Sequence, residues 1–280
     1  MIQATILMPA HNEASVIGRT LLHMSRGLSP FDFKVVVIAN ACTDSTASKA
    51  KSTMPQAKVI ETETPGKAHA LNIGYKVADK TAPVICLDAD VDITAECLKA
   101  LVTPLFATKA KASCGHMDVV VSDASPFVRA YYKGWRTNPY FDRGKFGGVF
   151  ALSAEAASTL FPLPEITADD EYVRRSLPVS EVAFVETCRF KVRAPLTLAS
   201  LIRVRRRAIR GVREVIALGL PKPERQSKTT LVGRVLQDPK RIFPVAVYGC
   251  INAFVRLQLK VERTSYAHRW ERDLTTRTVG

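Results

Sequence analysis

The sequence predicts an α/β protein with a mostly parallel sheet and helices on both faces. Strand and helix signals alternate through the first hundred residues, and strands joined by helices are typical of parallel sheets. One strand, Val35-Val36-Val37-Ile38, is continuously apolar, as strands covered on both faces are. Polar clusters follow the strands at His11, Asn40 and Asp88, at the edge where such sheets bind ligands. The pattern therefore indicates an enzyme rather than a generic α/β domain.

Four strands and three helices are predicted before residue 90. Pro9 closes the first strand, Asp44-Ser45-Thr46 supplies N-cap chemistry, and Pro65-Gly66 turns the chain into a helix. The predicted strands are Thr5–Met8, Lys34–Ala39, Lys58–Ile60 and Val84–Leu87. The predicted helices are Val16–Met24, Asp44–Lys51 and Lys67–Ala78.

Beyond Gly115 the alternation is less regular. Further strands are predicted at Val119–Val121, Gly147–Leu152 and Val182–Val185, with helices at Ala168–Leu177 and Leu201–Leu220. Four aromatic residues have the spacing of an amphipathic helix between the first two of these strands: Phe127, Tyr131, Tyr132 and Trp135. Of these, Tyr131, Tyr132 and Trp135 offer either a sugar-stacking surface or core packing, and the helical spacing favours the core.

The charge is unevenly distributed along the chain. With 280 residues, 47% hydrophobic and 24% charged, the composition excludes a disordered, collagen-like or disulfide-stapled chain. The net charge is +14, yet residues 1–188 carry 19 basic and 20 acidic side chains, whereas residues 189–280 carry 21 and 6. The excess positive charge of the last third indicates a polyanionic neighbour, either an acidic membrane surface or a nucleic acid.

The remaining sequence signals point to the cytosol. The six cysteines are scattered without metal-site spacing, which predicts reduced and mostly buried thiols. The apolar start is interrupted at His11 and lacks a basic leader, so we expect a strand there and no signal peptide. The apolar stretch Ile242–Val255 has 14 residues, fewer than the roughly 20 that a membrane span needs, and is predicted to be interfacial or buried.

Asp88-Ala89-Asp90 ends a buried strand with two carboxylates in alternation. Such a pair is tolerated when a divalent cation lies between the acids, and oxygen ligands suit Mg²⁺ or Mn²⁺. The alternative is a solvated loop whose acids cap the helix that starts near Thr94.

Four segments in order resemble the family 2 glycosyltransferases, which are inverting nucleotide-sugar enzymes of the GT-A fold. They are Met8-Pro9-Ala10-His11-Asn12-Glu13, Ala39–Thr46, Pro65–Gly74 and Leu87-Asp88-Ala89-Asp90, and the resemblance covers about residues 4–175. It implies a catalytic domain over residues 1–200, with a nucleotide-sugar half (1–110) and an acceptor half (111–200). The rest, 201–280, is predicted to be a helical, basic extension.

The resemblance also implies the residues that bind the donor. Lys67 would neutralise the diphosphate, or alternatively be a solvated helix start, and Asn40 stands where the family often has an Asp that reads uracil N–H. Because an amide both donates and accepts hydrogen bonds, Asn40 counts against a strict requirement for uracil and therefore for a UDP-sugar. Asp88 and Asp90 would bind Mg²⁺ or Mn²⁺, which stabilises the departing diphosphate. The predicted nucleotide-sugar-binding residues are Pro9, Ala10, His11, Glu13, Asn40, Lys67, Asp88, Ala89 and Asp90.

Thr167-Ala168-Asp169-Asp170-Glu171 resembles the family's motif that ends in the general base. Position by position the base falls on Asp170, with Asp169 as the weaker alternative, although acids in a first helical turn also stabilise the helix dipole. Asp169, Gly147 and Gly148 are assigned to the acceptor or donor sugar. The alternative interpretation of the two glycines is that they form a bulge in a strand.

The basic extension has two predicted uses. Arg206 or Arg207 would hold the diphosphate, as a loose counterpart of an arginine segment in family polysaccharide synthases. The mixture of arginines and aliphatics, with Ile242–Val255, also suits an anionic membrane surface. We therefore expect a cytoplasmic enzyme, peripheral on the inner membrane face, with a lipid-linked, polysaccharide or small hydroxyl acceptor. A nucleotidyltransferase of related fold and a nucleic-acid-binding protein are the alternatives, and no nucleic-acid partner is expected.

Overall fold

The computed structural model describes residues 4–29, 32–138, 145–221 and 228–261. The chain divides into two compact units. The first contains the described residues of Met1–Asp118 and Gly144–Val192, and the second those of Val119–Arg143 and Arg193–Val279. The first unit is built on a sheet, and the second contains four helices among its described residues.

A seven-stranded sheet has the strand order β3-β2-β1-β4-β6-β5-β7. Strands β1 to β4 form a parallel set, and β6 is antiparallel to both β4 and β5. The part of the sheet formed by the first four strands of the chain is therefore parallel, as predicted. The strands are β1 (Ala4–Ala10), β2 (Phe33–Asn40), β3 (Lys58–Thr62), β4 (Val84–Leu87), β5 (Ala112–Val120), β6 (Lys145–Leu152) and β7 (Val182–Arg193).

Six of the ten helices in the described ranges belong to the sheet unit and four to the second unit. The sheet unit holds α1 (Ile17–Ser25), α2 (Thr46–Thr53), α3 (Lys67–Lys76), α4 (Ala95–Ala107), α6 (Ala154–Leu160) and α7 (Asp169–Ser176). The second unit holds α5 (Pro126–Trp135), α8 (Leu198–Ala217), α9 (Lys228–Gln237) and α10 (Ile242–Val261).

Two apolar cores cover the two faces of the sheet. Along β1, Ile6 and Met8 belong to one core while Leu7 belongs to the other, because successive side chains of a strand point to opposite faces. Every residue of β1 is buried. This confirms the expectation of helices on both faces and explains the continuous apolar runs.

The helix boundaries differ from the predicted ones by a few residues. The basic helix α8 begins at Leu198 rather than Leu201, because the Thr197 side chain accepts a hydrogen bond from the Ser200 amide and caps the helix earlier. The helix α3 ends at Lys76, two residues before Ala78. All six cysteines carry free thiols, four of them buried.

In the second unit, α5 and α10 approach closely at a glycine. A Cβ atom on Gly134 would lie 2.1 Å from the Pro244 carbonyl oxygen. Tyr131 is fully buried, with its ring centroid 5.3 Å from that of Tyr248. Trp135 is also buried, so two of the four α5 aromatics lie in a core, as the helical spacing favoured, whereas Tyr132 is half-buried and Phe127 is 56% exposed.

The segment from Pro239 to Val261 is long and apolar enough to cross a membrane, judged by length and composition, and it is the one such candidate in the described ranges. The apolar stretch of 14 residues is shorter than α10, which has 20 residues. The helix continues past the stretch because Arg256 and Lys260 lie inside it and do not end it.

Candidate active site

The first part of the candidate site lies where β1 and β2 end side by side. Ala10 pairs with Ala39 in the parallel ladder, so the segments that follow the two strands start together. His11 Nδ1 lies 2.6 Å from the Asn40 carbonyl oxygen, and the Asn40 amide donates to the Ala10 carbonyl at 3.2 Å. The predicted residues His11 and Asn40 therefore meet, and both hold the backbone of the strand ends.

Polar side chains connect the two following segments. The Asn12 side chain accepts from the Thr43 amide at 2.7 Å, and the Asp44 carboxylate accepts from the Ala14 amide at 3.1 Å. The Glu13 amide donates to the Thr46 hydroxyl at 2.7 Å. Asn12 adopts φ 52°, a left-handed conformation that Asn tolerates better than most residues. The sequence assigned Asp44 and Thr46 to a helix cap, and their role between segments was missed.

Among the predicted donor residues, burial differs. Pro9 and Ala10 are buried within β1, Glu13 is 8% exposed and Asn40 is 4% exposed. Buried polar groups of this kind require hydrogen-bond partners. His11 remains half-buried, which leaves its ring edge nearer to solvent than the side chains of Glu13 and Asn40.

The centre of the site is an ion-paired cluster of three side chains. Lys67 Nζ lies 2.7 Å from Asp88 Oδ1 and 3.0 Å from Asp169 Oδ1. Lys67 begins α3 after Gly66, Asp88 follows β4, and Asp169 begins α7. The fold thus brings three of the predicted site residues together from three separate segments. The Lys67 side chain is 19% exposed, which contradicts the alternative of a solvated helix start.

The start of α7 is held against α3 by residues that the sequence did not single out. The Asn72 amide donates to the Leu163 carbonyl at 2.9 Å, and its oxygen accepts from the Leu163 amide at 2.7 Å. The rings of Tyr75 and Phe161 stack with centroids 4.3 Å apart. These contacts fix the chain leading to Asp169. Asn72 lay inside the third family segment, which was the only signal for its importance.

The cluster has unusual electrostatics. Burial disfavours the ammonium of Lys67, but the carboxylates of Asp169 and Asp88 outweigh it and raise the Lys67 pKa. Burial raises the pKa of Asp169 to about 6, although Lys67 acts in the opposite direction. The second oxygen of Asp169, Oδ2, is buried without a hydrogen-bond partner. A polar atom left in this state is suited to accept a hydrogen bond from a ligand.

The two adjacent acids at the start of α7 differ in access. Asp169 is 2% exposed, whereas Asp170 is half-buried and accepts a hydrogen bond from the Glu171 amide at 2.8 Å. Glu171 pairs with Arg174 and Arg175 at 2.8 and 2.6 Å. Burial opposes the Glu171 charge, yet the hydrogen bonds and charges of the two arginines lower its pKa. Glu171 is therefore held in ion pairs within α7, whereas the carboxylate of Asp170 is partly exposed to solvent, as a general base must be to reach an acceptor.

The acids after β4 also have separate partners. Asp92 forms an ion pair with Arg19 at 2.8 Å, and its backbone bridges to Lys191, so it stabilises the fold. Thr94 caps α4, which leaves no cap role for Asp88 or Asp90. Both of these acids are half-buried.

The oxygen donors fit a hard divalent cation. Across the described ranges, no three His, Cys, Asp or Glu side chains form a group that could hold a metal alone. A complete protein cage is not expected for Mg²⁺, which is usually bound by one or two carboxylates together with waters and substrate phosphates. Asp88 and Asp90 provide such a pair, with one oxygen of Asp88 already bound to Lys67.

Gly148 has a structural reason to be glycine. Its φ is +90°, and a Cβ atom there would lie 3.2 Å from the Val91 side chain. Its carbonyl accepts from the Asp88 amide at 2.8 Å, which ties β6 to the acidic segment. Gly147 is buried beside it. Arg206 and Arg207 lie half-buried on α8 in the second unit.

The sequence model of glycosyl transferase family 2 matches residues 5–158 of this chain. This confirms the family that the four segments resembled. No curated protein matches the chain in sequence.

Solved structures share the fold at low sequence identity. A mannosyltransferase from Pyrobaculum calidifontis, solved with GDP-mannose and Mn²⁺, aligns with TM-score 0.60 and 20% identity over 91% of this chain and 75% of its own. Glucosyl-3-phosphoglycerate synthase from Mycobacterium tuberculosis, solved with Mn²⁺, UDP and glucosyl-3-phosphoglycerate, aligns with TM-score 0.51 and 17% identity over 83% and 80%. S. aureus TarS aligns with TM-score 0.56 and 13% identity over 86% of this chain and 44% of its own. These similarities support the predicted GT-A fold.

Proposed function

The chain belongs to glycosyl transferase family 2, and on that premise we propose that it moves a sugar from a nucleotide-diphosphate sugar to a hydroxyl group with inversion. The observation that carries the proposal is the cluster of Lys67, Asp88 and Asp169. Asp169 is the residue directly before Asp170 in the chain, so the cluster and Asp170 are neighbours. The cluster lies where a parallel sheet binds its ligands. Family membership favours this reaction over the nucleotidyltransferase and nucleic-acid alternatives.

The donor would bind across the ends of β1, β2 and β4. The hydrogen-bonded segments beside His11 and Asn40 would form the surface that contacts the base and ribose, and Glu13 is buried within one of them. We propose a UDP-sugar. Solved relatives of this fold carry UDP in one case and GDP-mannose in another, so the fold accommodates either base.

Lys67 combines two tasks in this proposal. Its ammonium has three donors, and two are directed at Asp88 and Asp169. The third is left for a phosphate oxygen of the donor. Lys67 therefore neutralises the carboxylates first and the diphosphate second, which differs from the diphosphate role alone that the sequence implied.

Asp88 and Asp90 would hold Mg²⁺ or Mn²⁺, and solved relatives contain Mn²⁺. When bound, the cation supplies Lewis-acid stabilisation of the negative charge on the leaving diphosphate. The residues of the chain position the groups around the cation. Asp88 also keeps Lys67 in place, and Gly148 holds the Asp88 backbone.

We assign the general base to Asp170. Its half-buried carboxylate would take the proton of the acceptor hydroxyl while that oxygen attacks the anomeric carbon and the diphosphate leaves. Asp169 would accept a hydrogen bond from a sugar hydroxyl through its unpartnered Oδ2. The sugar would lie over the backbone at Gly147 and Gly148. One displacement without a covalent intermediate inverts the anomeric configuration.

We propose an acceptor that is lipid-linked or a growing polysaccharide, and a location on the cytoplasmic face of the membrane. The support is the basic last third of the chain, with 21 basic against 6 acidic side chains in residues 189–280. An arginine of α8, Arg206 or Arg207, would assist the diphosphate.

The test compares Asp170→Asn with the matched control Glu165→Gln, which neutralises an exposed acid five residues earlier. UDP-, GDP- and TDP-sugars with and without Mn²⁺ are first screened by thermal shift, and transfer is then measured from the sugar that stabilises the protein. We expect Asp170→Asn to lose transfer by at least about a hundredfold while keeping the donor-induced shift, because a general base contributes about 10²–10⁴-fold. Retained turnover in this variant would refute the base, and no shift with any donor would refute the donor site.

A further inference from the structure

Helix α10 carries a continuous apolar face that no described part of the chain covers. The face consists of residues spaced three or four positions apart, as on one side of a helix: Phe243, Ala246, Cys250, Phe254, Leu257 and Val261. The exposed fractions of Phe243, Leu257 and Val261 are 63%, 62% and 75%. Exposed apolar surface of this extent marks an interaction site. We call these six residues the α10 stripe.

The opposite face of α10 is fixed within the second unit. Pro244 packs at Gly134, and Asn252 is buried, with its oxygen 3.3 Å from Arg205 Nε. Arg213 donates to the Leu259 carbonyl at 3.3 Å. These contacts hold the helix against α5 and α8, so a membrane-spanning position would require breaking them and carrying Asn252 into lipid. The contacts therefore favour a helix that stays on its unit and exposes one side.

Basic residues border the α10 stripe, and α10 contains no acidic residue. At the N-terminal end Lys240 is exposed, whereas Arg241 forms an ion pair with Asp238 at 3.0 Å. At the C-terminal end Arg256 and Lys260 are exposed beside Leu257 and Val261. Long basic side chains can lay their methylene groups along an apolar surface while the charged ends reach phosphate groups. An apolar stripe with a cationic border matches the chemistry of an anionic lipid surface.

We propose that the α10 stripe inserts into the interface of an anionic membrane, with α10 lying parallel to the membrane plane. The partner is a bilayer surface rather than a second protein, because basic residues flank the uncharged middle of the stripe at both of its ends. Docking through α10 does not depend on the transfer reaction. Asp170→Asn should therefore bind membranes like the native chain, so that a failure of the proposed activity leaves this inference standing.

Vesicle flotation tests the surface. The full chain is mixed with vesicles of phosphatidylcholine alone or with about one third phosphatidylserine. We expect recovery mainly with the anionic vesicles, and a reduction of about fivefold in the partition coefficient for each of Arg256→Gln and Lys260→Gln. Phe254→Ser/Leu257→Ser should abolish recovery, whereas the control Phe106→Ser, on the sheet unit with 62% exposure, should not change it. Equal recovery of all variants, or equal recovery from both vesicles, overturns the proposal.

Cys250 offers a direct report of insertion, because it lies in the middle of the stripe and is the exposed cysteine of the six. An environment-sensitive fluorophore attached there, in a Cys42→Ser background, should shift to shorter wavelength with anionic vesicles. Quenching by lipids labelled near the headgroup should exceed quenching by lipids labelled at the chain ends. The reverse order would indicate a spanning helix and overturn the parallel arrangement. A stable dimer in light scattering, dissociated by Phe254→Ser, would assign the stripe to a second copy instead.

Discussion

The two compact units differ in what they leave uncovered. Twelve large apolar side chains are exposed among the described residues, and nine of them belong to the smaller, helical unit. The sheet unit instead buries its apolar residues in two cores and encloses charged groups at one edge. The sheet unit thus surrounds charged groups with apolar cores, whereas the helical unit leaves apolar surface exposed, which agrees with the proposal that it faces a partner.

The units also treat charge differently. Lys67 and Asp169 are withdrawn from water and neutralise each other, so their interaction is strong but costly to disturb. Among residues 189–280, the cations whose side chains the structure describes are exposed or half-buried, where single ion pairs contribute little to stability. In the first unit these charges are therefore buried and paired, whereas in the second they remain accessible, which is the basis of the proposed attraction to an anionic surface.

The largest effect is expected at the centre of the site. Lys67→Met leaves the buried carboxylate of Asp169 without its counterion and should lower the free energy of unfolding by about 3–5 kcal/mol. The matched control is Lys51→Met, since the pair of Lys51 with Glu61 has a similar length, 2.8 Å, but both side chains are more than half exposed. The control should lose less than about 1 kcal/mol in urea denaturation.

A second variant sharpens this prediction. Lys67→Met/Asp169→Asn removes the uncompensated charge and should recover part of the lost stability. If Lys67 served only to bind the diphosphate, Lys67→Met would match Lys51→Met and the double variant would recover nothing.

A pair of glycines tests the helical unit. Gly134→Ala brings a Cβ atom to within 2.1 Å of the Pro244 carbonyl oxygen and should destabilise the α5–α10 contact by about 1–3 kcal/mol. Gly249→Ala meets nothing within 4 Å and should stabilise α10 by about 0.5–1 kcal/mol through helix propensity. Hydrogen exchange of the α10 amides measures both. Effects of the same sign would show that α10 is not fixed against α5.

The last comparison concerns pH. The pKa of Asp169 is raised to about 6 from an ordinary 3.8, so its protonated form favours the fold. That contribution is complete below pH 4 and is lost as pH rises through 6. The unfolding free energy of the native chain minus that of Asp169→Asn should therefore fall with rising pH, by at most about 1.4 kcal/mol per pH unit.

Asp79 supplies the control of opposite sign. Hydrogen bonds from Thr81 lower the pKa of this exposed carboxylate, so its contribution appears as pH rises and is lost in acid. The unfolding free energy of the native chain minus that of Asp79→Asn should therefore increase with rising pH. A parallel slope for the two acids would contradict the buried state of Asp169.

Much of the sheet unit could be predicted because its signals are local. The apolar run at Val35–Ile38 and the turn at Pro65-Gly66 depend on neighbours in sequence, and a strand and a helix appear where these signals place them. The family segments further predicted which polar residues would lie at the strand ends. The contact of Asn72 with Leu163 joins residues 91 positions apart, and no local pattern indicates it.

The sequence by itself determined the order of strands and helices through β4, the family, and the concentration of positive charge in the last third. Only the tertiary structure decided that Asp169 is buried against Lys67 while Asp170 stays accessible, and that α10 turns Phe243 outward and Pro244 toward Gly134. The physical reason is that periodicity and capping arise between near neighbours in the chain. Burial and ionisation are set by groups that only folding brings together.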